Sequence, residues 1–213
     1  KILITLLKIR NSIIISDLTY EILYCEHDIF QPDFFHISPT WSDDKEFAYT
    51  SQFSLDDYQL YLNNLIISSD RCYPEINGIS PEPYILEQGR DAVQYSGIME
   101  ALGYTGSMII ATQLVKKYTD NSDTPCFSYK FVKELVFREG KLITTIDHSK
   151  GMLRIRKNLD SGLRSLDKKR DIKCIQRFIM TSFAGDYKKA EKRYQKLLKL
   201  LHRKTYFEKV KKI

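Results

Sequence analysis

Between Cys126 and Arg156 the chain reads CFSYKFVKELVFREGKLITTIDHSKGMLRIR. Phe127, Tyr129, Phe131, Leu135 and Phe137 fall on alternate residues, with Lys133 the one interruption. That period of two is the mark of a strand with one face on a core. Arg138-Glu139-Gly140-Lys141 supplies a turn, and Leu142–Asp147 a second strand. His148-Ser149-Lys150-Gly151 reads as another turn, with Met152–Arg156 as a third strand. The centre of the chain is therefore expected to be an antiparallel β-meander.

Toward the N-terminus the spacing changes. Leu3, Leu7, Asn11, Ile14, Leu18, Ile22 and Cys25 recur three and four residues apart, with no Gly or Pro before Pro32. This predicts one face of a long helix. The run Ile13-Ile14-Ile15 allows a second reading, a short strand between two helices as in a winged-helix unit. Residues 31–54, with Pro32 and Pro39, read as loop. Ser54-Leu55-Asp56-Asp57 fits a helix N-cap with acids at the positive end of the dipole. Tyr58, Tyr61, Leu62 and Leu65 are its apolar face. Pro74, Gly78, Pro81 and Pro83 make residues 68–84 turn-rich. A further helix is expected from Glu87 to Leu102, stopping at Gly103, and Met108–Tyr118 fits helix or strand.

Toward the C-terminus, Ile172, Ile175, Ile179 and Phe183 mark a helix over 166–184. Gly185 suits its C-cap, and Asp186 suits the N-cap of a last helix over 187–203. The expected fold class is α+β: N-terminal helices, a central antiparallel β-meander and a basic C-terminal helical pair. Residues 1–160 would form the core domain and 161–213 a basic helical hairpin packed on it, unless the whole is one domain.

Charge divides along the same line. Lys1 to Asp147 holds 12 Lys+Arg and 21 Asp+Glu, a net of −9; His148 to Ile213 holds 21 and 6, a net of +15. Such asymmetry points to a polyanionic partner, or to one half folding on the other. On the last predicted helix, Ala190, Tyr194, Leu197 and Leu201 form an apolar stripe opposite Lys188, Lys192, Lys199 and Arg203, with Lys196 beside them. Lys168, Lys169, Arg170, Lys173 and Arg177 extend the cationic surface. These ten residues are the candidate binding residues for DNA or RNA phosphates, or for an acidic protein. Tyr187, Tyr194 and Tyr206 are candidates for stacking on bases, although Tyr194 lies on the apolar stripe. Apolar runs are too short to span a bilayer, and the last helix lacks Trp, so no membrane partner is expected. The four cysteines form no CxxC pair, which fits reduced thiols and an intracellular, nuclear or cytoplasmic, setting.

Catalytic patterns are sparse. Pro32-Asp33 with Asp43-Asp44-Lys45 matches, in order, the two carboxylates and lysine of metal-dependent nucleases, but here in a loop. Asp33, Asp43 and Lys45 would carry that alternative. Cys25, His27 and His36 lack the second close pair a zinc site needs. Asp147, His148 and Ser149 are adjacent, whereas a triad is assembled from distant segments. Gly103-x-x-Gly106 falls short of a phosphate loop, and Cys174 falls inside a predicted helix. No catalytic residue, cofactor or metal is expected. The function read from these residues is a non-enzymatic interaction or scaffold module of a multiprotein assembly, associated with nucleic acid or chromatin.

The stretch from Leu18 to Phe35, LTYEILYCEHDIFQPDFF, resembles the first helix and following corner of HORMA domains, with Tyr24, Ile29, Phe30 and Phe34 at the matching positions. The corner reads Phe30-Gln31-Pro32 where the family has Phe-Pro. Leu86–Gln94 is similar to the helix before the family's central sheet. Tyr118-Thr119-Asp120-Asn121, Pro125 and Tyr129-Lys130-Phe131 are similar to its strand–turn–strand passage. The family's C-terminal peptide-wrapping segment has no counterpart here. The resemblance implies a peptide-capturing adaptor in chromosome or signalling assemblies, without catalysis.

Overall fold

The computed structural model describes residues 11–40, 49–69, 73–86, 91–119, 124–161, 177 and 182–185. In chain order they form β1 (Ser12–Ile15), β2 (Leu18–Cys25), β3 (Tyr49–Asp56), β4 (Gln59–Ile67), β5 (Glu82–Ile85), β6 (Asp91–Ala101), β7 (Gly106–Leu114), β8 (Tyr129–Arg138), β9 (Lys141–Asp147) and one helix, α1 (Ser149–Ser161). The strands are hydrogen-bonded in the order β3-β1-β2-β7-β8-β9-β4-β6-β5, with β3 also paired to β4. Among the described residues no helix is long and apolar enough to cross a membrane.

The expected α+β layout with N-terminal helices is therefore wrong; the described chain is mainly β. Of the expected N-terminal helix, residues 1–10 lie outside the described residues, and the described part is a hairpin of β1 and β2, in which Ile13 lies opposite Tyr20 and both are buried. Three β-branched residues in a row lose rotamer freedom in a helix and fit a pleated strand. Ser16 (φ 48°) and Asp17 (φ 64°) then reverse the chain. Paired positive φ values give the turn whose twist matches a hairpin. The same device recurs at Asp57 and Tyr58, with φ 43° and 63°. There the supposed helix cap is the end of β3 and the turn into β4.

Of the expected helix from Glu87 to Leu102, Asp91–Ala101 is strand β6, and residues 87–90 lie outside the described residues. The buried residues of β6, Ala92, Tyr95 and Ile98, stand three apart, which imitates a helical face. The register against β4 shifts between Leu62 and Asn64. Across that shift Gly97 (φ 75°) and Met99 (φ 52°) take left-handed conformations, so the alternation slips. The meander is borne out for its first two strands, β8 and β9. Its third, Met152–Arg156, is part of α1, where Met152, Ile155 and Leu159 are buried at helical spacing. The C-terminal helical pair over 161–213 lies outside the described residues, apart from Ser161, which ends α1, Arg177 and Ser182, which are helical, and Phe183–Gly185, which are not.

The chain divides into two compact units. The first comprises Lys1–Ile22, His27–Thr105 and Phe137–Leu142. Here β1 pairs antiparallel with β2 and parallel with β3, while β3–β4, β4–β6 and β6–β5 are antiparallel. Phe53, Leu60, Leu62, Leu65, Ile67, Tyr95, Ile98 and Phe137 fill its core; each such side chain adds about 1.5–3 kcal/mol on burial. Gly140 (φ 79°) closes the β8–β9 hairpin. Its N–H donates to Tyr104 O (2.8 Å), and its carbonyl accepts from Leu60 N (2.9 Å). A Cβ there would sit 1.8 Å from Leu102 O, so only glycine fits.

The second unit comprises Leu23–Glu26, Gly106–Val136 and Ile143–Ile213. Ile109, Ala111, Phe127, Tyr129, Val132, Met152, Ile155, Leu159 and Phe183 form its apolar cluster.

Candidate functional site

Strand β8 carries Glu134 into the second unit with no exposed surface. A buried carboxylate is tolerated only where donors replace its water. Four donors do so. Ser107 Oγ on β7 donates to Oε1 (2.8 Å), and His148 Nε2 lies 2.9 Å from Oε2. The Ala184 N–H is shared between both oxygens (3.0 and 3.1 Å), and the Gly185 N–H reaches Oε1 at 3.0 Å. An ionised carboxylate only accepts, so the imidazole nitrogen facing it carries its proton.

Local geometry fixes each donor. His148 ends β9: its N–H bonds Val132 O (2.9 Å) and its carbonyl accepts the Met152 N–H (3.0 Å), starting α1. Asp147 Oδ1 accepts the Ser149 N–H (2.8 Å). Those bonds to Ser149 hold the Asp147 carboxyl below the usual carboxylate range, against a smaller opposing effect of burial. The Phe183 ring lies on the His148 imidazole, centroids 4.1 Å apart. Ser107 is held in turn by its N–H to Glu26 Oε2 (2.7 Å).

A second polar group lies in the same unit. Arg156 is buried, and its Nη1 donates to Phe127 O (2.8 Å) and to Tyr129 O. Burial pushes its pKa down, partly offset by Tyr118 and Asp160. Asp160 takes the Tyr118 hydroxyl (2.7 Å) and Lys117 Nζ (2.6 Å). The Tyr118 phenol is pushed up, first by burial and then by that bond.

Ser107 on β7 and His148 at the end of β9 both meet the Glu134 carboxylate on β8. The carboxylate ties β7, β8 and the start of α1 to Ala184 and Gly185. Neither Glu134 nor Ser107 stood out in the sequence. The available signal was a charged residue two places from Val132 inside a strand. It was masked because β8 does not alternate strictly: Lys130 and Phe131 are both exposed, while Glu134 and Leu135 are both buried.

Of the candidate binding residues, Arg177 is an exposed helical residue. Lys168, Lys169, Arg170, Lys173, Lys188, Lys192, Lys196, Lys199 and Arg203 lie outside the described residues, as do Asp43 and Lys45. Asp33 is exposed in a short 3-10 turn, Pro32–Phe35. No cluster of His, Cys, Asp and Glu suited to a metal occurs among the described residues. The corner that carries the HORMA resemblance packs Phe30 against Phe35 (5.6 Å) and Tyr49 (6.4 Å). Leu18–Cys25, read there as helix, is strand β2. No protein-family model matches the chain, and no curated protein or solved structure matches it.

Proposed function

We propose that this protein is a non-enzymatic interaction module in a multiprotein, nucleic-acid- or chromatin-associated assembly, binding DNA or RNA phosphates through its basic C-terminal segment. One observation carries the reading. The Glu134 carboxylate grips the N–H groups of Ala184 and Gly185, and the residues that follow, Asp186–Ile213, hold 11 Lys+Arg against 3 Asp+Glu. A cationic segment is thus tethered at its root to a folded body. Positive charge at that density recruits phosphate with little sequence preference and strong salt dependence. The four cysteines, with no CxxC pair among them, suit the intracellular, nuclear or cytoplasmic, setting that belongs to this reading.

The test is fluorescence anisotropy with labelled single- and double-stranded oligonucleotides over a salt series. Affinity should fall steeply with salt. Reversing Lys188, Lys192, Lys199 and Arg203 to Glu should flatten the slope of log K against log salt by about 4, one per lost phosphate contact. Binding that ignores both salt and the reversal overturns the proposal.

A further inference from the structure

Helix α1 carries its charge against its own dipole. A helix favours acids in its first turn and bases in its last. The first turn of α1 holds Lys150 and no acid, and the last turn holds Asp160 and no base. The acid at the starting end, Asp147, precedes the helix and is bonded to Ser149. Lys150, Arg154 and Lys157 stand four and three residues apart, so they form one row. All three are exposed, on the side away from the buried Met152, Ile155 and Leu159. Cations so placed do not help the helix; they deepen a positive potential that its N-terminus already has.

The same unit sets an aromatic ring beside this row. Val132 N–H donates to Ser149 Oγ (3.1 Å), and Val132 O accepts the His148 N–H (2.9 Å). Those bonds hold Lys130 and Phe131 of β8 next to the first turn of α1. Lys130 is exposed, and Phe131 is 45% exposed although its strand is central to the sheet. None of Lys130, Lys150, Arg154 and Lys157 is paired with an acid among the described residues.

We propose that this face binds single-stranded nucleic acid, with Lys150, Arg154, Lys157 and Lys130 on backbone phosphates and Phe131 stacked on a base. The inference rests on the nucleic-acid reading above for the class of partner, but its residues lie in the folded body, outside the basic C-terminal segment. Charge complementarity selects a polyanion, and the ring selects among polyanions. An exposed ring beside cations stacks on any base that is free of its pair, which a duplex does not offer and an acidic peptide lacks. The row spans about 10 Å of helix axis, the length of about three nucleotides stacked at about 3.4 Å each.

Fluorescence anisotropy of the full chain tests this, with labelled oligo(dT) of about 15 nucleotides and a duplex of the same length over a salt series. Reversing Lys150, Arg154 and Lys157 together to Glu should weaken single-strand binding and flatten the slope of log K against log salt by about 2, at about 0.7 for each contact. Phe131→Ala should weaken single-strand binding at least about fivefold, leave that slope unchanged and leave duplex binding as it was. Phe131→Trp should restore it. Circular dichroism confirms that each variant is folded; should the triple reversal fail to fold, Phe131→Ala decides. Folded variants that bind oligo(dT) as the parent does refute this surface. If the Lys188, Lys192, Lys199 and Arg203 reversal then abolishes binding, the C-terminal reading stands without it. The opposite pattern, loss on the α1 reversal alone, supports this surface and refutes the C-terminal one. Poly-aspartate displacing oligo(dT) equally well from the parent and from Phe131→Ala would mark an acidic-protein surface and sink the proposal.

Discussion

The two units are held in different ways. Among the described residues, the buried polar side chains of the first unit reduce to Ser51. Those of the second include Ser107, Ser128, Glu134, His148 and Arg156. The first unit depends on apolar packing and on turns that few residues can adopt. The second fastens separate pieces of chain by directed bonds: Glu134 to Ala184 and Gly185, and Arg156 to the Phe127 and Tyr129 carbonyls. Apolar packing is non-directional and tolerates substitution of similar volume. A buried carboxylate specifies its partners and fails when they are lost. The unit that anchors the root of the basic segment is thus the one whose parts are joined residue by residue.

The largest expected effect breaks that contrast at Glu134. Glu134→Ala strands His148, Ser107 and two backbone N–H groups in a buried site. It should cost about 3–5 kcal/mol in urea unfolding. Hydrogen exchange at Ala184 and Gly185 should accelerate more than exchange in β4 and β6. Equal acceleration everywhere would show that Glu134 acts on the whole fold and not as a clamp on residues 184–185.

In the first unit the matching change is steric. Gly140→Ala places a methyl group 1.8 Å from Leu102 O and 2.5 Å from Gln59 Nε2, at φ 79°. Left-handed backbone alone costs a side chain about 1–2 kcal/mol. Because the clash meets backbone, the total should be about 2–3 kcal/mol. Thermal unfolding followed by circular dichroism measures it. Loss of less than about 1 kcal/mol would mean that the turn rearranges freely.

The β8–β9 hairpin was legible because two signals agreed there, the alternation from Phe127 to Phe137 and a glycine, Gly140, where the turn has positive φ. The other hairpins use Ser16-Asp17 and Asp57-Tyr58 at such positions, and those residues also suit helix caps. Local chemistry therefore fitted two folds, and only long-range pairing chose between them. In β6 the register shift near Gly97 set buried residues three apart, so periodicity itself pointed to a helix. The Glu134 site was hidden for a related reason. Its donors come from residues 107, 148, 184 and 185, remote in sequence, and two of them are backbone amides that no side-chain pattern records.

The smallest effect sharpens the comparison at the point where β9 becomes α1. Asp147 has its pKa lowered from 3.8, first by the hydroxyl and then by the N–H of Ser149. A carboxyl group with a depressed folded pKa stabilises the native state above its unfolded value, and this contribution disappears as pH falls through the folded one. Stability tied to Asp147 should therefore be complete at pH 6 and erode below about pH 4. Asp147 is exposed, so screening keeps the contribution small, about 0.5 kcal/mol. Asp147→Asn retains the shape of the cap and loses the charge. Its urea midpoint should fall slightly below the parent's at pH 6 and meet it at pH 3. A constant gap at both values would assign the bond to geometry alone, and the start of α1 would then resemble the apolar unit more than the polar one.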